Sequence, residues 1–335
     1  MSSVPRVVAF ILAAIALAGG AWIVSSSTEQ VGRRYGPAVT GVLQSTLGNL
    51  PEFFVVVFAL NAGQIVVAQT AILGSILVNA LLVLGLVITV GARRESDRVM
   101  RFAVRLPNDT ATLLLLASFI IVLIALADGA HDPASRHVKT ISVVGAIAIL
   151  IVYAVWVISY LRSDPKPDEG TAGKEAQHDS RGGVPIATSL TLLGVAGVAS
   201  AFVSDWFVNA LQPTINSLGI SEAFAGLVIV AIAGNAVENA AGIVLAHKGQ
   251  ADLAISVVKN SVAQIAAFLY PLLVLVSLLT ATSLTFALAP VYTGALIGTA
   301  IIIWQITSDG EATPFEGAAL IAAYVILATL AAFET

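Results

Sequence analysis

Runs of about 20 apolar residues follow one another along nearly the whole chain, each long enough to cross a hydrocarbon core of roughly 30 Å. Such runs leave few ways to satisfy backbone N–H and C=O groups in lipid. A helix closes its own hydrogen bonds, whereas a barrel needs an alternating polarity that these continuous Leu, Val, Ile, Ala and Gly stretches lack. The chain therefore reads as an all-α integral membrane protein. Its 58% hydrophobic and 11% charged residues agree, since a soluble domain carries about a quarter charged.

Ten transmembrane helices are predicted, at 7–25, 36–61, 65–91, 110–128, 139–161, 186–211, 221–246, 250–279, 283–304 and 315–333. The polar stretch 162–183, rich in Pro, Gly and mixed charge, reads as a linker that divides them into a first unit over 1–161 and a second over 184–335. Segment 7–25 follows an Arg and also suits a signal peptide, but removing it would unbalance the two halves. Alternating the loops gathers Arg33, Arg34, Arg93, Arg94, Lys248 and most other basic residues on one side, against Arg6, Arg136 and Lys139 on the other. By the positive-inside rule both termini lie outside and 162–183 is cytoplasmic. The short termini and compact linker suggest a bacterial plasma membrane.

Displaced by 186 positions, the chain matches itself: Gly48, Asn49, Glu52, Gly63, Gln64 and Ser75 fall on Gly234, Asn235, Glu238, Gly249, Gln250 and Ser261 without a gap. With an odd number of spans per half, the second copy enters from the opposite side. Two inverted five-helix repeats result, with a binding site expected near the midplane where the copies meet.

The matched positions are polar, and they sit in otherwise apolar helices. Asn49 and Glu52 in GNLPE share a helix face, as do Asn235 and Glu238 in GNAVE. Gly and Pro51 inside the span loosen the helix and free carbonyls that lipid cannot satisfy. The following spans add Ser75 and Asn79 in GSILVN, and Ser261 and Gln264 in NSVAQ. Two carboxylates, four amides and two hydroxyls form an oxygen-rich set, which is what a hard divalent cation such as Ca2+ takes. For the amides and hydroxyls, bonding between helices is the competing role. With no Cys, and four His all outside the predicted spans, soft ligands for zinc or copper are missing.

Two ionised carboxylates at bilayer depth cost about 2.5–3.5 kcal/mol each on insertion scales unless a cation or protons neutralise them. Either cargo satisfies Glu52 and Glu238, but not both together, and exclusive occupancy combined with alternating exposure is antiport. Lys259 is a potential modulator, either facing Glu238 or reaching an interface. Gln44, one turn before Gly48, either lines the pathway or packs helices. No phosphate-binding loop, dinucleotide fingerprint or nucleophile elbow occurs, so neither an ATP-driven pump nor an enzyme with a cofactor is expected. The expected partners are inorganic cations, protons and lipids rather than nucleic acid, and no oligomeric state is indicated.

The two blocks LQSTLGNLPEFFVVVFALNAGQIVVAQTAILGSILVNALLVLGL and IVAIAGNAVENAAGIVLAHKGQADLAISVVKNSVAQIAAFLYPLLVL resemble the two alpha repeats of Ca2+/H+ exchangers, within the Ca2+/cation antiporter superfamily. The resemblance implies that Glu52 and Glu238 are the exchanging carboxylates, with Asn49, Asn235, Ser75, Asn79, Ser261 and Gln264 around them, and that the first and sixth spans gate access. It also implies three departures. Asn239 stands where a His often follows the second Glu, NSVAQ preceded by Lys259 replaces a GSSIQ-like run, and Pro51 makes an LPE similar to that of Na+/Ca2+ exchangers.

Overall fold

A computed structural model describes residues 4–32, 48–163 and 186–334. Its helices are α1 (Val4–Gly32), α2 (Leu50–Asn61), α3 (Ile65–Arg94), α4 (Arg105–Gly129) and α5 (Val138–Ser163) in the first part of the chain, and α6 (Ile186–Leu218) opens the second. The second part adds α7 (Glu222–Gly234), α8 (Ala236–His247), α9 (Ala251–Leu279), α10 (Pro290–Thr307) and α11 (Pro314–Ala332). Among the described residues seven helices are long and apolar enough to cross a membrane, and the α7–α8 pair, bent by 58°, makes an eighth crossing if taken as one. The predicted ten are not all present among them: residues 33–47, needed to complete the second predicted span, lie outside, as do residues 164–185, which hold most of the linker.

One predicted boundary is corrected. The span placed at 283–304 starts instead at Pro290 and runs to Thr307. Pro disfavours helical geometry in the residue before it and loses nothing at a first helical position. Ala289 is accordingly extended, at φ −55° and ψ 142°. The non-helical residues ahead of it are held by side chains, with Ser142 Oγ accepting from Phe286 N (3.1 Å) and Tyr270 Oη donating to Thr285 O (2.9 Å).

The internal repeat is written in the backbone as well. Asn49 and Asn235 interrupt their helices with nearly the same angles, φ −85°, ψ 8° and φ −96°, ψ 8°. Gly63 and Gly249 both take positive φ, 75° and 77°, a left-handed conformation open to Gly at no steric cost. Gln64 and Gln250 follow at φ −85°, ψ 63° and φ −93°, ψ 66°. The long helices repeat too: α3 widens into a π-turn at Val78–Val83 and α9 does so at Ile265–Leu269.

The direction of α3 and α9 follows from their ends. Gln69 Nε2, near the start of α3, donates to Ala287 O beyond the end of α9 (2.9 Å). Asp252, at the start of α9, accepts from Ala103 N beyond the end of α3 (2.7 Å), so the two helices run antiparallel. Around this pair α1 packs along α6, with the Phe10 and Phe207 rings 4.9 Å apart, and α6 lies against α2. At one end of the bundle a two-residue ribbon pairs β1 (Met100–Arg101) with β2 (Glu311–Ala312), and Arg101 bridges Asp97 (2.7 Å) and Glu311 (3.1 Å). Arg94 Nη1 at that same end donates to His247 O (2.6 Å), capping the C-terminus of α8.

Candidate functional site

Two glycines let the halves approach closely. A Cβ on Gly74 of α3 would lie 2.4 Å from Leu227 O, and one on Gly226 of α7 would lie 2.0 Å from Thr70 Oγ1. Small residues at such a crossing bring backbones together, the usual device for packing helices in lipid. Ser75, next to Gly74, is thereby set against the break at Asn235.

Four side chains then join across the crossing. Asn235 Nδ2 donates to Ser75 Oγ (2.9 Å) and to Ala231 O (2.9 Å). Asn79 Nδ2 donates to Asn235 Oδ1 (2.9 Å), to Ser261 Oγ (3.2 Å) and to Ser75 O (3.0 Å). All four are buried, and each half of the chain contributes two of them. The π-turn holding Asn79 is the local reason that its amide reaches across: an extra residue in the turn re-aims a side chain, and such turns recur at functional sites.

Glu52 is also buried, at 6% exposure, in the first turn of α2. Its carboxylate packs on Gly234, where an added Cβ would stand 3.1 Å from Oε1. A small cavity of about 10 Å³, on the order of the space one water needs, is lined by Glu52, Ser75, Val55, Ile72, Val230 and Leu269. The carboxylate of the first half, the hydroxyl of Ser75 and the break of the second half thus converge. Asn49 is buried one turn before Glu52, and Gln264 one turn beyond Ser261 on α9. Glu238 falls in the first turn of α8, three residues after Asn235, and its side chain lies outside the described residues. Gln44 lies wholly outside them.

Lys259 is fully buried, so it does not reach an interface, and its Nζ donates to Thr307 Oγ1 at the end of α10 (3.2 Å). Residues beyond the predicted set also shape the site. Ser204 of α6 donates from Oγ to the Pro51 carbonyl (3.3 Å), tying α6 to the first turn of α2. Nothing in the spacing of α6 points to Ser204. Gly74 and Gly226 could have been flagged as small residues inside apolar runs, although a sequence does not say which of 27 glycines is a contact.

Residues 6–161 and 188–333 match the model of the sodium/calcium exchanger protein family. The chain belongs to this family. A vacuolar calcium ion transporter of Schizosaccharomyces pombe is 32% identical over 325 residues, covering 95% of this chain and 77% of that protein. The Ca(2+)/H(+) antiporter ChaA of Bacillus subtilis is 29% identical over 325 residues, covering 97% and 92%. Among solved structures, native YfkE superposes with a TM-score of 0.78 at 27% identity, covering 96% of this chain and 91% of that one. Both matched segments contain one copy of the repeat, so family membership extends over the Asn49 and Asn235 breaks alike.

Proposed function

We propose that this chain is a secondary active antiporter that exchanges Ca2+ for protons by alternating access. The observation that carries the reading is the buried junction of Ser75, Asn79, Asn235 and Ser261 with the Glu52 carboxylate laid against Gly234. Hard oxygen donors from both halves meet at one place in an apolar bundle, where Ca2+ would exchange water for carboxylate, amide and hydroxyl ligands. The names of relatives as a Ca2+/H+ antiporter in Bacillus subtilis, a vacuolar calcium ion transporter in Schizosaccharomyces pombe and a vacuolar cation/proton exchanger in Oryza sativa support the cargo.

In this reading Glu52 and Glu238 bind the cation or protons in turn, Asn49, Asn235, Ser75, Asn79, Ser261 and Gln264 complete the cage, and Gln44 lines the approach. Neutralisation by one cargo removes the need for the other, because two negative charges at bilayer depth accept either one Ca2+ or two protons. The ten spans form two inverted five-helix repeats, 1–161 and 184–335, in a bacterial plasma membrane, with the termini outside and 162–183 cytoplasmic. The antiparallel course of α3 and α9 and the repeated backbone angles at Asn49 and Asn235 support that arrangement.

The test is 45Ca2+ uptake into proteoliposomes under an imposed pH gradient without Na+. Uptake is expected, and Glu52→Gln and Glu238→Gln are each expected to abolish it while the protein still inserts. Near-normal uptake in either variant removes that residue from the site. Pro51, which gives this chain an LPE run, favours Na+-coupled exchange as a second reading. Uptake driven by a Na+ gradient and not by a pH gradient would select it.

A further inference from the structure

Lys259 is a long cationic side chain with no exposed surface, placed in the first third of α9. Nζ has one hydrogen-bond partner among the described residues, Thr307 Oγ1 at 3.2 Å, and no carboxylate there lies within ion-pair distance of it. The Thr307 hydroxyl proton is already committed to Ile303 O at 2.6 Å, so the oxygen serves Lys259 only as an acceptor. An ammonium carries three donors, and one neutral acceptor is poor solvation for it. Packing does not explain its presence, because Met or Leu would fill the same space without desolvating a charge.

The nearest functional feature is the oxygen cluster itself. Ser261, two residues on, faces α3 through Asn79, whereas Lys259 faces α10 through Thr307. Two residues turn a helix by about 200°, so the ammonium and the cluster occupy opposite sides of α9, separated by on the order of 10 Å. That is too far for coordination and near enough for an electric field in a dry interior.

Resting on the exchange reading above, we infer that Lys259 is an ion-selectivity residue: kept protonated by the negative charge of the carboxylate site it backs, it is a positive charge that weakens cation binding in proportion to the charge of the ion. At about 10 Å and an effective dielectric of about 20, one unit charge acting on another changes an equilibrium constant by roughly tenfold. The effect on a divalent ion is then roughly a hundredfold, and on a trivalent ion roughly a thousandfold. Lys259 also partly balances the two carboxylates when the site holds neither cation nor protons.

The valence dependence gives the experiment. Ca2+ and La3+ are similar in size and differ in charge, so both are titrated calorimetrically into the detergent-solubilised parent and Lys259→Met. Glu52→Gln serves as the blank for binding elsewhere, and thermal melting checks each fold. Met keeps the length of the chain, and Thr307 keeps its bond to Ile303, so no donor is stranded by the change. The expected result is a gain in Glu52-dependent affinity of roughly a hundredfold for Ca2+ and clearly more for La3+, with melting unchanged. Equal gains for both ions, or affinities within twofold of the parent, overturn the inference, because packing changes do not count charge. Absence of any Glu52-dependent Ca2+ binding in the parent is the separate outcome that removes the site, and the exchange reading with it.

Discussion

Replacing Gly234 by Ala would add one methyl group at the point where the two halves touch. Gly234 lies in ordinary helical geometry, so the backbone accepts Ala, and the intrinsic helical preference for Ala over Gly favours the variant by about 1 kcal/mol. The new Cβ would stand 3.1 Å from Glu52 Oε1, 3.1 Å from Cγ and 3.2 Å from Cδ. Ordinary carbon contacts sit at about 3.5–4.0 Å, so the carboxylate must retreat by several tenths of an ångström. Its displacement exceeds the roughly 0.2 Å tolerance of a metal–ligand distance, while the strain and the helical gain nearly cancel in stability. Melting is expected within about 1 kcal/mol of the parent, whereas the Ca2+ concentration for half-maximal uptake in proteoliposomes rises about tenfold, equivalent to about 1.4 kcal/mol of lost binding. A Gly234→Ala protein that transports Ca2+ with unchanged half-saturation would refute the placement of Glu52 as a ligand. Equal loss of stability and transport would instead assign the contact to folding.

Other perturbations separate packing from charge. Gly226→Ala places its methyl on Thr70 Oγ1, itself held to Val66 O at 2.7 Å, and is expected to cost about 1–3 kcal/mol by overpacking; the added Thr70→Ala recovers part of the loss, since the contacts at 3.0 Å with the residue-70 Cβ and Ala71 N remain, and no recovery would deny the hydroxyl contact. Arg101→Gln releases Asp97, whose carboxyl pKa lies below its ordinary value through the hydrogen bond from Arg101. A depressed carboxylate adds stability above its unfolded pKa and loses it as pH falls through its folded value. The variant and parent should therefore melt alike near neutrality, this exposed pair being screened by water, and the Asp97 titration followed by carbon NMR should move up; an unmoved titration would deny the contact.

How far the residues alone anticipate this architecture depends on the range of each interaction. Asn49, Glu52, Asn235 and Ser261 are legible because a polar group inside lipid is expensive wherever it lies, and because each has a counterpart 186 positions away. The meeting of Asn79 with Asn235 follows from the same reasoning only as a neighbourhood; its distances depend on a π-turn that widens α3, and apolar composition carries no signal for one. The start of α10 is misplaced because hydropathy counts residues 283–289 as membrane-soluble while Pro290 and the caps from Ser142 and Tyr270 keep them out of a helix. Likewise the hydrophobic record of α6 conceals Ser204, whose role comes from a carbonyl more than 150 positions away in the chain. Lys259 was identifiable as anomalous, but its direction awaited knowledge of which helix lies behind α9.

The lattice of Ser75, Asn79, Asn235 and Ser261 also bears on how the chain is made. Neither half satisfies all of its amide groups alone: Asn235 donates to Ala231 O in its own half but also to Ser75, and accepts from Asn79, which donates to Ser75 O in its own half but also reaches Ser261. Synthesis begins at the N-terminus, so Ser75 and Asn79 enter the bilayer before their partners exist. Until α7 and α9 arrive, the early helices carry polar groups that nothing in the finished arrangement yet covers. The residues of the proposed ion site are thus among the last polar groups of the bundle to find all their partners, which the first half alone does not supply.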